Sequence, residues 1–435
     1  KRWSKDVDLP VVFVHQSGRG SGDRGKPAGI SAGRYGGEAE SMFIYEVWRE
    51  RENTTHTGEM ARYHEESLSV ALWKNKRPPG RLEQFEFHID PNSGLRGIVA
   101  IHNTVLGPAL GGCRMWDYVT EEEAFVDALR LAKGMTYKAA IAGLNLGGGK
   151  AVIIGNSKTQ KTENLFRSFG RFVEGLNGRY ITAEDVGTSI KDMEYVRMET
   201  GYVTGISQAL GGSGDPSPVT AYGVFIGMKA AIKERLNKTE FSGLKISVQG
   251  LGSVGMSLCE YLYNAGAELF VTDLDQVVMG QAVDRFSATP VESDAIYDLD
   301  VDVYAPCALG ATINPETVDK FKCSIIAGAA NNQLIESDFG DKLKKRKILY
   351  APDYAINAGG LINVSNELEG YNRDRAFSQA EGIYETLMEI FQRSSSENIS
   401  TNEASDRQAE DRINKISGLK SFYLPYKKSF KIRNV

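Results

Sequence analysis

The chain is poor in the residues that metal centres and disulfide frameworks need, with 5 histidines and 4 cysteines in 435 residues. Cys113, Cys259, Cys307 and Cys323 show no CxxC spacing and lie in apolar runs, which predicts buried, reduced thiols in a cytoplasmic protein. His15, His56, His64, His88 and His102 form no HExxH pair and no Cys/His cluster, so neither a structural nor a catalytic metal is expected. No apolar run reaches the roughly 18 residues of a membrane span, and Val11 to Val14 is too short for a signal-peptide core. Positive charge is not in excess either. A net charge of -5 argues against a general hold on nucleic acid or on an anionic membrane, and the basic stretch Lys420 to Arg433 reads as a solvated tail. The first residue is Lys1 rather than Met, consistent with a processed or truncated end.

What is present is ordinary globular material, 41% hydrophobic and 25% charged, long enough for two domains. Gln16 to Glu38 is rich in Gly, Ser, Arg and Lys and cannot bury enough apolar surface to order itself, so residues 1–40 are expected to form a flexible extension. An amphipathic pattern starts at Ser41 to Trp48. The polar stretch 49–81, closed by Pro78-Pro79-Gly80, reads as an insertion. Strand signals follow at Phe85 to Phe87 and Leu95 to Asn103. A helix is predicted over Glu121 to Lys133, leaving Lys138 at its end or just beyond, then a strand from Ala151, a helix over Thr162 to Gly175 and a short strand over Arg179 to Thr182. Residues 41–207 therefore predict a mixed α/β domain. Turn-rich Asp215-Pro-Ser-Pro marks a boundary before a helical pattern from Ala221 to Leu236. Beyond it, strands at Lys245 to Gln249, Glu268 to Thr272, Asp302 to Ala305 and Ser324 to Ala327 alternate with helices. That alternation predicts a doubly wound parallel sheet over 208–400, with 401–435 helical and packed back on the first domain.

Two lysines, Lys138 and Lys150, stand in an otherwise uncharged stretch of Ala, Ile, Leu and Gly. Burying an ammonium is costly unless a partner offsets it, so the pair suggests a site for something anionic. Gly147 to Gly149 sharpen this, since glycine lets backbone approach a ligand closely and could set Lys150 on the floor of a cleft. The plainer alternative is two helix-face lysines reaching out to solvent. Asp185 in Ala183-Glu-Asp-Val-Gly-Thr follows a strand, where it could face the lysines or cap the helix beginning near Ser189. Asn331, Asn332 and Gln333 follow a strand of the second domain, where their amides suit either a ligand or a turn.

Gly250-Leu251-Gly252-Ser253-Val254-Gly255 follows a strand and opens a helix, and Asp273 ends the next strand. All contextual conditions of a dinucleotide fingerprint are met: a turn at the first glycine, access for a pyrophosphate at the second, close helix packing at the third. Asp273 would accept hydrogen bonds from the adenosine ribose and repel a 2′-phosphate. No arginine among Leu274, Asp275 and Gln276 offsets that repulsion, so NAD is favoured over NADP.

Leu106-Gly-Pro-Ala-Leu-Gly-Gly, Gly-Met-Thr-Tyr-Lys138, Gly-Gly-Gly-Lys150, Ala-Glu-Asp185-Val-Gly-Thr, Tyr350-Ala-Pro-Asp-Tyr and Asn357-Ala-Gly-Gly occur in order. Together they resemble the Glu/Leu/Phe/Val dehydrogenase family, from Leu82 to about Arg412, and the stretch around Ala183 is nearest its leucine dehydrogenases. The resemblance implies a substrate and oligomerisation domain, a Rossmann-type NAD domain and a cleft between them. It implies that Lys138 binds the substrate carboxylate, that Lys150 is the general base and that Asp185 relays protons. A hydride would leave the amino acid for the nicotinamide, and water activated by Lys150 would then release a 2-oxo acid and ammonia. By the same resemblance Leu110, Gly111, Ala183, Leu361 and Val364 line the side-chain pocket, and Thr220 and Asn332 lie near the nicotinamide. Apolar walls predict an aliphatic L-amino acid, leucine with overlap onto isoleucine and valine, in a homo-oligomer without nucleic-acid or membrane partners. The alternatives are a phenylalanine or valine dehydrogenase of the same family, or a non-catalytic NAD-binding regulatory protein.

Overall fold

The computed structural model describes residues 45–48, 67–72 and 83–419, so the expected extension 1–40, most of the expected insertion 49–81 and the basic tail lie outside the described residues. The fold is two-domain α/β, built on two sheets. The first has seven strands: β1 (Tyr45–Trp48), β2 (Ser67–Leu72), β3 (Gln84–Asp90), β4 (Leu95–Asn103), β5 (Ala109–Trp116), β6 (Gly147–Ile154) and β7 (Tyr180–Glu184). Their order is β1-β2-β3-β4-β6-β5-β7, antiparallel as far as β6 and parallel from β6 through β5 to β7.

Alternation along these strands feeds two layers. Ile98, Ala100 and Val152 pack under Ala124, Ala128 and Ala132 of the Glu121–Ile141 helix. Val99, Ile101, Ala151 and Ile153 point the other way, against Phe166, Phe169 and Val173 of the Glu163–Gly175 helix. Part of the expected insertion is a strand: Ser67–Leu72 pairs antiparallel with β3, Ser67 opposite His88. Its alternation of Leu68, Val70 and Leu72 is a strand signal hidden by the polar sequence around it.

The Glu121–Ile141 helix starts as expected, with Thr120 accepting the Glu123 N–H at 3.2 Å, but does not stop at Lys133. It runs through Gly134 for a further two turns. An interior glycine costs about 1 kcal/mol, and the buried face of Thr136, Tyr137, Ala139, Ala140 and Ile141 offsets it. Lys138 consequently lies inside the last helical turn, not beyond it.

The second sheet is parallel throughout, in the order β10-β9-β8-β11-β12-β13, with β8 at Lys245–Gln249, β9 at Glu268–Thr272, β10 at Thr289–Pro290, β11 at Val303–Pro306, β12 at Ile325–Ile326 and β13 at Leu349–Tyr350. Numbered within the sheet this is 3-2-1-4-5-6, the doubly wound order, with its switch point beside the first strand. The Ser217–Leu236 helix carries the chain from one sheet to the other, and its apolar side is buried from Val219 to Ile232. The Thr401–Leu419 helix returns to the first unit, where the Tyr137 hydroxyl donates to Glu410 at 2.7 Å. Cys113, Cys259 and Cys323 are buried and Cys307 half-buried, all as free thiols. Among the described residues no helix is long and apolar enough to cross a membrane, and no group of three His, Cys, Asp or Glu is placed to hold a metal ion.

Candidate active site

Lys150 projects from β6 with its side chain 7% exposed, and its ammonium is ion-paired with Asp185 Oδ2. Asp185 follows β7, which is separated from β6 by β5, so the pair reaches over an intervening strand. Its alternative as a helix cap falls away, because Ser189 fills that position in a reciprocal capping box with Asp192. Burial works to raise the Asp185 carboxyl, yet the cations of Lys150 and Arg114 outweigh it and hold the group below the usual carboxylate range. Gly147 to Gly149 serve a different purpose from the one expected. A Cβ on Gly148 would stand 2.0 Å from the Thr136 nitrogen and one on Gly147 1.9 Å from the Asn103 oxygen, so the space they leave is filled by protein rather than ligand. They let the Lys138 helix close directly onto the Lys150 strand.

Lys138 is half-buried, and its ammonium donates to Asn357 Oδ1 at 2.7 Å. The Asn357 amide nitrogen donates in turn to Ala329 O at 2.9 Å and to Asn331 Oδ1 at 2.8 Å. Desolvation pushes the Lys138 pKa down to about 8. Asp353 and Asp185 oppose the shift, and Lys150 adds to it. The two lysines therefore share one electrostatic neighbourhood, as their spacing suggested.

Leu110, Leu361 and Val364 meet in one apolar cluster with Ala139, Leu146 and Ile181. Ala139 neighbours Lys138, and Leu361 lies four residues after Asn357, so this aliphatic wall adjoins the cationic end of the site. Gly111 abuts it on β5: a Cβ there would be 1.8 Å from Gly149 O. Ala183 is buried on β7 opposite Gly112 and lies outside the cluster.

The glycine-rich turn fits a dinucleotide. Gly250 has φ +95, and a Cβ on Gly255 would be 2.0 Å from Gly250 O, so both are fixed by the turn itself. A Cβ on Gly252 would meet nothing within 4 Å, which leaves open room at the start of the Ser253–Asn264 helix, where no side chain caps the first N–H groups. An anionic diphosphate suits both the room and the helix end. Leu251 is buried and Val254 half-buried against the core, while Ser253 is exposed. Asp273 Oδ2 accepts the Leu251 N–H at 2.6 Å, tying the end of β9 to the turn. Thr220 abuts Gly360, whose Cβ would stand 2.8 Å from its hydroxyl. Asn332 is exposed with φ +52 and its carbonyl accepts the Ala311 N–H, a turn role. Its neighbour Asn331 is the residue linked to Asn357 and so to Lys138.

Sequence reading missed three residues at this site. Asn357 was legible as part of a quoted motif but not as the Lys138 acceptor. Asp353, desolvated and raised above its ordinary pKa, accepts the Gln333 and Tyr354 N–H groups and faces Lys138 electrostatically. Arg114 lies 3.7 Å from Asp185 Oδ2 through Nε. The only signal for these was their place in the quoted motifs or, for Arg114, two positions beyond one.

Comparison with known proteins finds relatives over most of the chain. Residues 79–202 match the model for the Glu/Leu/Phe/Val dehydrogenase dimerisation domain, and residues 211–278 and 270–420 match that for Glutamate/Leucine/Phenylalanine/Valine dehydrogenase. The chain is 55% identical to a leucine dehydrogenase of Bacillus cereus over 79% of its length and 93% of the relative's. It is 46% identical to a phenylalanine dehydrogenase of Bacillus thermotolerans, over 78% of this chain and 91% of that one. The solved L-tryptophan dehydrogenase of Nostoc punctiforme superimposes with a TM-score of 0.70 at 47% identity, covering 78% of this chain and 97% of that one.

Proposed function

The chain belongs to the Glu/Leu/Phe/Val dehydrogenase family, the amino-acid dehydrogenases, and on that premise we propose that it converts L-leucine, with overlap onto other branched-chain L-amino acids, to the 2-oxo acid and ammonia, reversibly and with NAD. The observation that carries the reading is the junction of the Lys138, Lys150 and Asp185 charges with the aliphatic wall of Leu110, Leu361 and Val364. Lys138 binds the substrate carboxylate, exchanging a neutral amide acceptor for a charged one. NAD, when bound, accepts the hydride. Gly250 to Gly255 and Asp273 would hold its pyrophosphate and ribose, and Thr220 and Asn332 would supply polar contacts to it. Lys150 takes the proton from the water that adds to the imine, and Asp185 exchanges protons with the amine. Residues 41–207 would serve as the substrate and assembly domain of a homo-oligomer, 208–400 as the NAD domain, and 401–435 as the returning helical segment.

The test is NADH formation, followed by ultraviolet absorbance, with L-leucine, L-valine, L-phenylalanine, L-tryptophan and L-glutamate, NAD being compared with NADP. L-leucine should give the highest kcat/KM and L-glutamate no turnover. A preference for L-phenylalanine or L-tryptophan would replace the branched-chain assignment with the aromatic one that two of the relatives carry. Lys150→Ala should abolish turnover while NAD still binds.

A further inference from the structure

Arg114 is on β5, between the strand that carries Lys150 and the strand that ends beside Asp185. Its guanidinium is built in. Nη1 donates to Asp127 Oδ2 at 2.8 Å, the same oxygen accepts the Tyr118 hydroxyl at 2.6 Å, and Arg130 donates to Asp127 Oδ1 at 2.9 Å. Asp127 is therefore satisfied on both oxygens by groups that also lock its position. The Arg114 Nε is buried without a hydrogen-bond partner and stands 3.7 Å from Asp185 Oδ2, the oxygen already paired with Lys150. One carboxylate oxygen thus lies between two cations of different kinds. Lys150 can lose its proton in the reaction, whereas a guanidinium keeps its charge throughout the accessible pH range.

We propose that Arg114, anchored by Asp127, is a positioning residue for amino-acid dehydrogenation: the permanent cation that keeps Asp185 ionised and aimed at the reacting amine while Lys150 is neutral. The inference rests on the reading of Lys150 as general base and Asp185 as proton relay. Without Arg114, deprotonation of Lys150 would leave the enclosed Asp185 carboxylate without an adjacent cation, and it would take up a proton instead of passing one on. The other groups facing Asp185 do not substitute. Lys138 is committed in the reaction to the substrate carboxylate, which offsets its charge, Glu184 is itself an acid brought up to about 7 by burial and by Asp215, Glu367 and Asp185, and the buried thiol of Cys113 is held neutral.

The test is the pH profile of kcat/KM for L-leucine in Arg114→Met, Arg114→Lys and Asp127→Asn, with the KM for NAD and the thermal midpoint measured alongside. Removing a cation from beside the Lys150–Asp185 pair makes both members hold their protons more tightly, so the acid limb of the profile should move to higher pH by about one unit in Arg114→Met. Its kcat should fall roughly tenfold or more with the KM for NAD within about twofold. Arg114→Lys should restore most of the acid limb, because it keeps the charge, but less of kcat, because it loses the planar fork. Asp127→Asn, which frees the guanidinium without removing it, should fall between wild type and Arg114→Met, and it carries the test if Arg114→Met does not fold. An unmoved acid limb in every folded variant would overturn the inference. Turnover by Lys150→Ala would instead overturn the reading beneath it, so the two failures are told apart.

Discussion

The Lys138 ammonium and the Asn357 side-chain carbonyl are hydrogen-bonded at 2.7 Å, joining the last turn of a first-domain helix to a turn of the second unit 219 positions later. The orientation of Asn357 is fixed, because its nitrogen is committed to Ala329 O and Asn331 Oδ1, which leaves its oxygen for the lysine. A neutral acceptor holds a cation without cancelling its charge, so an incoming carboxylate can still claim it.

Asn357→Asp should therefore act as a built-in competitor. The substrate must then displace an ion-paired carboxylate, and KM for L-leucine is expected to rise roughly tenfold or more, about 1.4 kcal/mol, with the KM for NAD within about twofold. Steady-state kinetics with each substrate varied in turn checks the split. Equal increases in both constants would mean that the exchange damages the fold of the cleft instead.

Lys138 makes a second expectation about pH. Its folded pKa of about 8 lies below that of an unfolded lysine, so between the two values the unfolded chain binds more protons and stability rises with pH. The strain of burying the ammonium is fully present below about 8 and is relieved as pH climbs. Lys138→Met should raise the thermal midpoint at neutral pH by about 2 °C or more while abolishing turnover, and the gain should shrink toward pH 10. Scanning calorimetry across that range measures it. A Lys138→Met protein that melts lower than wild type at every pH would contradict the desolvation argument.

Two glycines of one loop should part company. Gly255→Ala forces a Cβ to 2.0 Å from Gly250 O and should lower the thermal midpoint by several degrees or prevent folding. Gly252 has φ -63 and open space around its missing Cβ, so Gly252→Ala should fold like wild type yet raise the KM for NAD roughly tenfold. Melting curves with and without NAD separate the two effects: the second variant should match wild type alone and lose the shift that NAD produces.

The parts of the site that local sequence determines were the parts legible beforehand. The Gly250 turn, the strand before it and Asp273 lie within one strand-turn-helix-strand unit, where residue type dictates backbone shape. Lys138 and Lys150 were legible as a pair because charge in an apolar stretch needs a partner. Which partner was not legible, since Asn357, Asp353 and Arg114 are brought to the lysines by the folding of separate segments. β10 and β13, at two residues each, are too short for any periodicity to register. The Glu121–Ile141 helix overran its expected end because tertiary burial outweighed Gly134, whose own Cβ position is empty. The motifs themselves were misread only in motive: Gly147 to Gly149 answer a packing demand from Thr136 and Asn103.

Arg412 supplies the last test, because it connects the returning helix to the end of the helix that carries Lys138. Its guanidinium donates to Ala140 O at 2.8 Å, Gly143 O at 2.9 Å and, more weakly, Ala139 O and Asn145 Oδ1 at 3.3 Å each. Ala139 O and Ala140 O, at the electronegative end of the helix, already accept the Leu144 and Gly143 N–H groups, so the cation adds a second hydrogen bond to each and complements the dipole. Burial lowers the Arg412 pKa from its ordinary value, yet an arginine at that position stays charged and the interaction persists to high pH. Arg412→Ala should therefore cost about 1 to 3 kcal/mol through the lost charge-assisted hydrogen bonds and loosen the turn that aims Lys138. The kinetic signature should be a KM for L-leucine that rises more than the KM for NAD, with kcat changed less than either. Arg412→Lys should recover the charge term but not the fork that reaches several carbonyls at once, and so should land between the two. If Arg412→Ala lowers the thermal midpoint but leaves the KM for L-leucine untouched, the returning helix braces the fold without setting the position of Lys138.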